Sequence, residues 1–147
     1  MFANKVLGLH EQRAFMLLCW PNFISQVRNG VLTSEGELLP NELCATYRVL
    51  ITLSGGDYPE VRVVTPSLKS REEGVLIPHM YEQERLCLYL PGSGEWTRAN
   101  PIAMTIVPWT SLWLYFYEVW RATGEWLGGG VEPGTTRSIR KSRSHDN

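Results

Sequence analysis

Between His10 and Trp20 the sequence HEQRAFMLLCW spaces apolar residues at Phe15, Leu18 and Cys19, with Met16 and Leu17 widening the face. That interval predicts a helix, which Pro21 breaks or restarts before Asn29-Gly30 ends it. Beyond Gly30 the period changes. GVLTSEGELLP carries a Glu-Gly turn signal, LCATYRVLITLSGG is rich in β-branched and aromatic residues, and YPEVRVVTP alternates. Three strands in a meander follow from this pattern. Because the strands run consecutively with short turns and the helical segments stand apart from them, the pattern predicts an antiparallel sheet in an α+β domain.

Residues 67–74, SLKSREEG, read as a solvated loop, and Pro78 to Arg85 as an irregular polar segment. LCLYLP then gives a short extended piece running into PGSGEW. Strong helical period returns only in PWTSLWLYFYEVWRATG. Pro108 suits a first turn, Trp109, Leu112, Trp113, Phe116, Val119 and Trp120 fall on one stripe, and Gly124 can supply a left-handed cap. An aromatic stripe of this kind is ordinarily core. A ligand box would need polar groups converging on it, and the sequence displays none.

Residues 1–133 therefore read as one domain, and 134–147 as a tail in which Arg137, Arg140, Lys141 and Arg143 stand among serines that can bury little. Such a tail is expected to be disordered and solvated.

Composition narrows the function classes. The chain has 147 residues, 44% of them hydrophobic and 20% charged, with a net charge of -1 and a pI near 6.3. A domain of this size buries about two thirds of its unfolded surface without staples. The balanced charge points to neither nucleic acid nor an anionic membrane as a direct partner. Cys19, Cys44 and Cys87 are too few for a disulfide framework, and no Cys-x-x-Cys or His/Cys cluster offers a metal site. A reducing cytoplasm is the expected compartment.

The N-terminal segment is interrupted by His10, Glu11 and Arg13 and lacks the apolar core of a secretion signal. Residues 102–117 are uncharged, but Pro108 and several hydroxyl side chains break the run, which falls short of the roughly 20 residues a bilayer requires. No nucleotide cofactor is expected either, since LSGGDY and LGGGVEPG lack the lysine and the strand-loop-helix setting of a phosphate cradle.

Chemistry centres on Cys87. Flanked by Leu86 and Leu88, it has the commonplace reading of a half-buried strand cysteine. Its neighbours argue for more. His79, Glu82 and Arg85 precede it within one short irregular segment, and a Pro-Gly-Ser-Gly turn follows. A thiol attacks only as thiolate, and nearby cations or local donors lower its pKa, so a cysteine beside loops is the better nucleophile candidate. By the same argument Cys19, on an apolar helix face, and Cys44, inside a strand pattern, are expected to be structural.

The order of these elements resembles the ubiquitin-conjugating enzyme fold. Tyr58-Pro59, Thr65, His79, Cys87-Leu88 and Trp96 stand in the order, and close to the spacing, of that family's Tyr-Pro pair, strand end, His-Pro-Asn tripeptide, thioester-forming cysteine and following tryptophan. LCLYLPGSGEW together with TIVPWTSLWLYFYEVWRATGEWLGGGVEP is similar to the conjugating-enzyme-like proteins of bacterial CBASS antiphage operons. The length leads us to expect the stand-alone kind.

That resemblance implies a cGAS-like nucleotidyltransferase (CD-NTase) as partner, its C-terminus carried as a thioester on Cys87 and passed to an amine of a target protein. It also implies a structural role for His79. The tripeptide is His79-Met80-Tyr81, so Tyr81 stands where the family keeps an asparagine and offers a hydroxyl in its place as an oxyanion donor. Glu82 and Glu84 are candidates to take the amine's proton, although solvated loop charge is their commoner use. Two other functions fit the same residues: a non-catalytic module that docks the nucleotidyltransferase, and a thiol hydrolase that removes the conjugate.

Overall fold

The computed structural model describes residues 5–129, and the tail at 134–147 lies outside them. The order is α1 (Leu9–Cys19), β1 (Ile24–Arg28), β2 (Val31–Leu38), β3 (Tyr47–Ser54), β4 (Glu60–Thr65), β5 (Met80–Tyr81), β6 (Arg85–Leu86), a 3-10 turn (Ile102–Met104) and α2 (Ile106–Thr123). β1 to β4 form one antiparallel sheet in sequence order, and β5 and β6 pair as a separate small hairpin. The α+β architecture agrees with the pattern-based expectation.

The sheet alternates as a half-buried sheet must. Tyr47, Val49, Ile51 and Leu53 of β3 point inward, and their neighbours stay half-exposed. On β2 the inward positions include Leu32, Ser34 and Leu38. Ser34 is paired across the ladder with Ser25, and their hydroxyls lie 2.8 Å apart, so the sheet buries these polar atoms without leaving them unpartnered. Gly36 faces the Phe23 ring, where an added Cβ would come within 2.3 Å of a ring carbon. The helices close the opposite side of one continuous core in which Met16, Ile106, Val107 and Leu114 are fully buried. Each such side chain contributes about 1.5–3 kcal/mol relative to exposure.

Several expectations require correction; among them, Glu35-Gly36 lies within β2 and is not a turn, and Cys44 lies in the loop before β3 and not in a strand. Residues 24–28 are a fourth strand rather than a continued helix, and Asn29 and Gly30, with φ of 51° and 73°, make the two-residue turn that folds β1 onto β2. Positive φ at both turn residues matches the right-handed twist of a tight hairpin. The buried face of α1 is Gln12 and Met16, while Leu18 is 80% exposed and Cys19 is exposed. Cys19 therefore adds little to the core.

Gln12 occupies the core because both ends of its amide are partnered: Nε2 donates to Asn100 O at 3.0 Å, and Oε1 accepts from Ile102 N at 2.9 Å. In α2 the buried stripe is Ile106, Val107, Thr110, Trp113, Leu114, Tyr117 and Trp120, rotated from the expected one. Leu112 is half-exposed, and Trp109 and Phe116 are only partly covered. Finally, only Arg85 and Leu86 of the RLCLYLP region are in a strand. Gly124, with φ of 86°, caps α2 as its sequence position predicts.

Candidate functional site

The loop before Cys87 is built by unusual backbone. His79, Glu82 and Gln83 all adopt positive φ, near 54°, 52° and 56°. Non-glycine residues occupy this region only when their surroundings hold them there. Here the Gln83 side chain does part of the holding, accepting from Ile77 N at 2.8 Å and donating to Ile77 O at 2.9 Å. The β5–β6 hairpin does the rest.

The His79 carbonyl accepts from two directions, from the Cys87 amide at 2.9 Å and from Trp113 Nε1 at 3.0 Å. One oxygen thus ties the cysteine backbone to α2. The His79 ring lies 5.0 Å from the Trp126 ring, which meets Trp113 at 5.3 Å and Phe116 at 5.9 Å.

Cys87 itself is partly exposed. Its thiol donates toward Tyr81 Oη at 3.3 Å and toward the Tyr89 carbonyl at 3.7 Å. The two contacts act differently on the thiolate. A carbonyl can only accept and so favours the protonated thiol, whereas the phenol can reverse and donate to sulfur once the thiol ionises. Burial, reinforced by the Cys87 hydrogen bond, pushes the Tyr81 hydroxyl well above its ordinary range, so it remains a donor at neutral pH. The Arg85 guanidinium lies 5.4 Å from the Tyr81 ring centre.

Two clefts border this loop. One, of about 250 Å³, is lined by Cys87 and His79 with Trp109, Trp113, Phe116 and Trp126, and has Glu95 as its carboxylate. The other, of about 440 Å³, includes Tyr58, Glu60, Tyr81, Arg85 and Tyr89. The aromatic stripe of α2 is therefore divided, Trp113 serving both as core and as cleft wall.

Tyr81 and His79, singled out by sequence, both meet Cys87. Glu82 and Glu84 are exposed and line neither cleft. Glu95 is the carboxylate of the first cleft, and Asp57 and Glu60 are those of the second. Sequence reasoning missed them because Glu60 is held by a strand far away in the chain and Glu95 follows a glycine-rich turn. Tyr89 was readable only as part of an extended segment. Cys44 lies beside Glu118, and burial followed by that carboxylate raises its thiol pKa, which disfavours its thiolate.

No helix among the described residues is long and apolar enough to cross a membrane. No curated protein matches the chain. A family model described as "Type II CBASS E2 protein" matches residues 12–133, a span that takes in the sheet, the Cys87 loop, both clefts and α2. The chain belongs to the Type II CBASS E2 family, and with it to CBASS defence.

Proposed function

We propose that Cys87 is the nucleophile of a conjugating-enzyme-like acyl transfer, in which the C-terminus of a cGAS-like nucleotidyltransferase is carried as a thioester and passed to a target amine. The observation that carries this reading is the setting of the thiol: partly exposed, on the wall of a cleft, with a protonated phenol 3.3 Å from sulfur. A sulfur used only for packing has no need of a phenol that can turn and donate to it once it ionises.

Loading is an exchange. The Cys87 thiolate attacks the carbonyl of a thioester donor, a new carbon–sulfur bond forms, and the donor's thiolate departs. The bond broken and the bond formed are of similar energy, so no strong general base is needed. Discharge follows when a neutral amine attacks the carried carbonyl, forming an amide and expelling the Cys87 thiolate, while the amine's surplus proton passes to a carboxylate or to solvent. Glu95 is the carboxylate that shares the cleft with sulfur and takes this part in place of Glu82 or Glu84. As negative charge gathers on the carbonyl oxygen and then on the leaving sulfur, Tyr81 donates to whichever lies within reach. The His79 carbonyl acts on geometry alone, by anchoring the Cys87 amide.

The test is co-expression of the nucleotidyltransferase with wild-type or Cys87→Ala protein, followed by non-reducing gels. The reading expects a hydroxylamine-sensitive adduct with wild type and none with the variant. Conjugates at equal yield from both would reduce the protein to a docking module, and faster loss of preformed conjugate with wild type would make it a hydrolase.

A further inference from the structure

A chain of contacts leads from the sheet to the thiol. Glu60, the first residue of β4, uses its two carboxylate oxygens separately: Oε2 meets Arg62 Nη1 at 3.1 Å and Oε1 meets Arg85 Nη1 at 3.1 Å. Arg85, in β6, in turn lies over the Tyr81 ring, and the Tyr81 hydroxyl reaches Cys87. Tyr81 and Arg85 are also cross-strand partners in the β5–β6 hairpin.

We propose that Arg85, clamped by Glu60, is a positioning residue for Cys87, acting through Tyr81 to hold the phenol against the sulfur. This rests on reading Cys87 as the reacting thiol.

The physical case is one of restraint on a weak hairpin. Two strands of two residues each have little stability of their own. The Tyr81 ring is partly exposed and needs a second contact to keep its hydroxyl on sulfur rather than on water. A guanidinium over the ring face supplies a cation–π contact, while the ring's hydroxyl reaches the thiol. Glu60 limits where that guanidinium can go, while Arg62 holds the other oxygen so that the carboxylate does not swing.

Other charged or titratable groups also surround the thiol. Glu95 lines the aromatic cleft, His79 precedes the cysteine, and Tyr89, Tyr58 and Asp57 line the cleft that holds Tyr81 and Arg85. Only Arg85 and Tyr81 are joined as cross-strand partners in the β5–β6 hairpin. Arg85 also brings positive charge to the thiolate's neighbourhood, and a double substitution separates that direct effect from action through the phenol.

The experiment measures the pH dependence of iodoacetamide alkylation at Cys87, resolved at the peptide level because Cys19 is also exposed. Tyr81→Phe should slow alkylation at pH 7 about tenfold, through loss of the charge-assisted donor. Arg85→Ala should slow it about threefold, and Glu60→Gln about twofold, both with raised midpoints and both weaker at high salt. Arg85→Lys should recover part of the rate, since an ammonium also sits over a ring.

The decisive comparison is the double variant. Arg85→Ala should change nothing further in a Tyr81→Phe background, because its route is already cut. A threefold effect persisting in that background, or an Arg85→Ala protein that alkylates like wild type, overturns the proposal. Should Arg85→Ala fail to fold, Glu60→Gln in the two backgrounds gives the same decision. Alkylation needs no partner, so these outcomes are independent of whether conjugation by Cys87 is observed.

Discussion

Trp113→Phe probes the joint between α2 and the Cys87 loop. Trp113 is 4% exposed, stacks on Tyr117 at 5.7 Å with 10° between ring planes, and donates from Nε1 to the His79 carbonyl. Phenylalanine keeps a ring on Tyr117 but removes the donor and part of the buried surface. The carbonyl retains its second donor, the Cys87 amide, so the hydrogen-bond loss is near the ordinary net value of about 1 kcal/mol. Losing part of the indole adds roughly 1–2 kcal/mol of apolar burial and cavity cost. A total of about 2–3 kcal/mol lowers the melting temperature by roughly 5–10 °C for a chain of this length.

Calorimetry reads the global effect, and hydrogen exchange at the Cys87 amide reads the local one. The amide should exchange faster in the variant than global destabilisation alone requires, because its acceptor has lost its tether to α2. A melting temperature within 2 °C of wild type, or Cys87 protection that falls only in step with the rest of the core, would refute the joint.

Other predictions follow from the same geometry. Cys19→Ala should change stability by less than about 0.5 kcal/mol because the side chain is exposed, which equilibrium unfolding in urea would show. Gly36→Ala should cost several kcal/mol and depress the melting temperature sharply, since the new Cβ meets the Phe23 ring. Tyr47, Tyr81 and Tyr89 have hydroxyls whose folded pKa is raised, chiefly by burial, above the ordinary value near 10. Their neutral forms favour the native state at all lower pH, so stability should hold up to about pH 10 and fall beyond it as the unfolded chain's tyrosines ionise. Melting curves between pH 8 and 11 measure this, and a flat profile would contradict it.

The parts of the fold legible in the sequence were those where side-chain chemistry and burial agree. β3 alternates cleanly because every inward residue is apolar, and α2 ends where Gly124 permits a left-handed cap. The errors came where they disagree. Gln12 is buried and Leu18 exposed, so apolar spacing placed the buried face of α1 wrongly. β1 buries Ser25 and exposes Ile24, which hides its strand period, although Asn29-Gly30 carried the hairpin signal that should have revealed it.

At the site, His79, Tyr81 and Cys87 were legible because a short local segment brings them together. Glu60, Glu95 and Trp126 reach the same place from other elements, through pairing and packing that no local window contains.

The most direct test of the central claim is a trapped adduct. Serine at position 87 would carry the same acyl group as an oxyester, which resists thiol reductants and discharges slowly to amines. Cys87→Ser protein co-expressed with the nucleotidyltransferase, and analysed by intact mass and fragment mapping, is predicted to hold the partner's C-terminal carbonyl on the residue 87 oxygen, as a bond cleaved by mild alkali. An unmodified residue 87 in both Cys87→Ser and wild-type proteins, while partner conjugates still accumulate in the same cells, would contradict it.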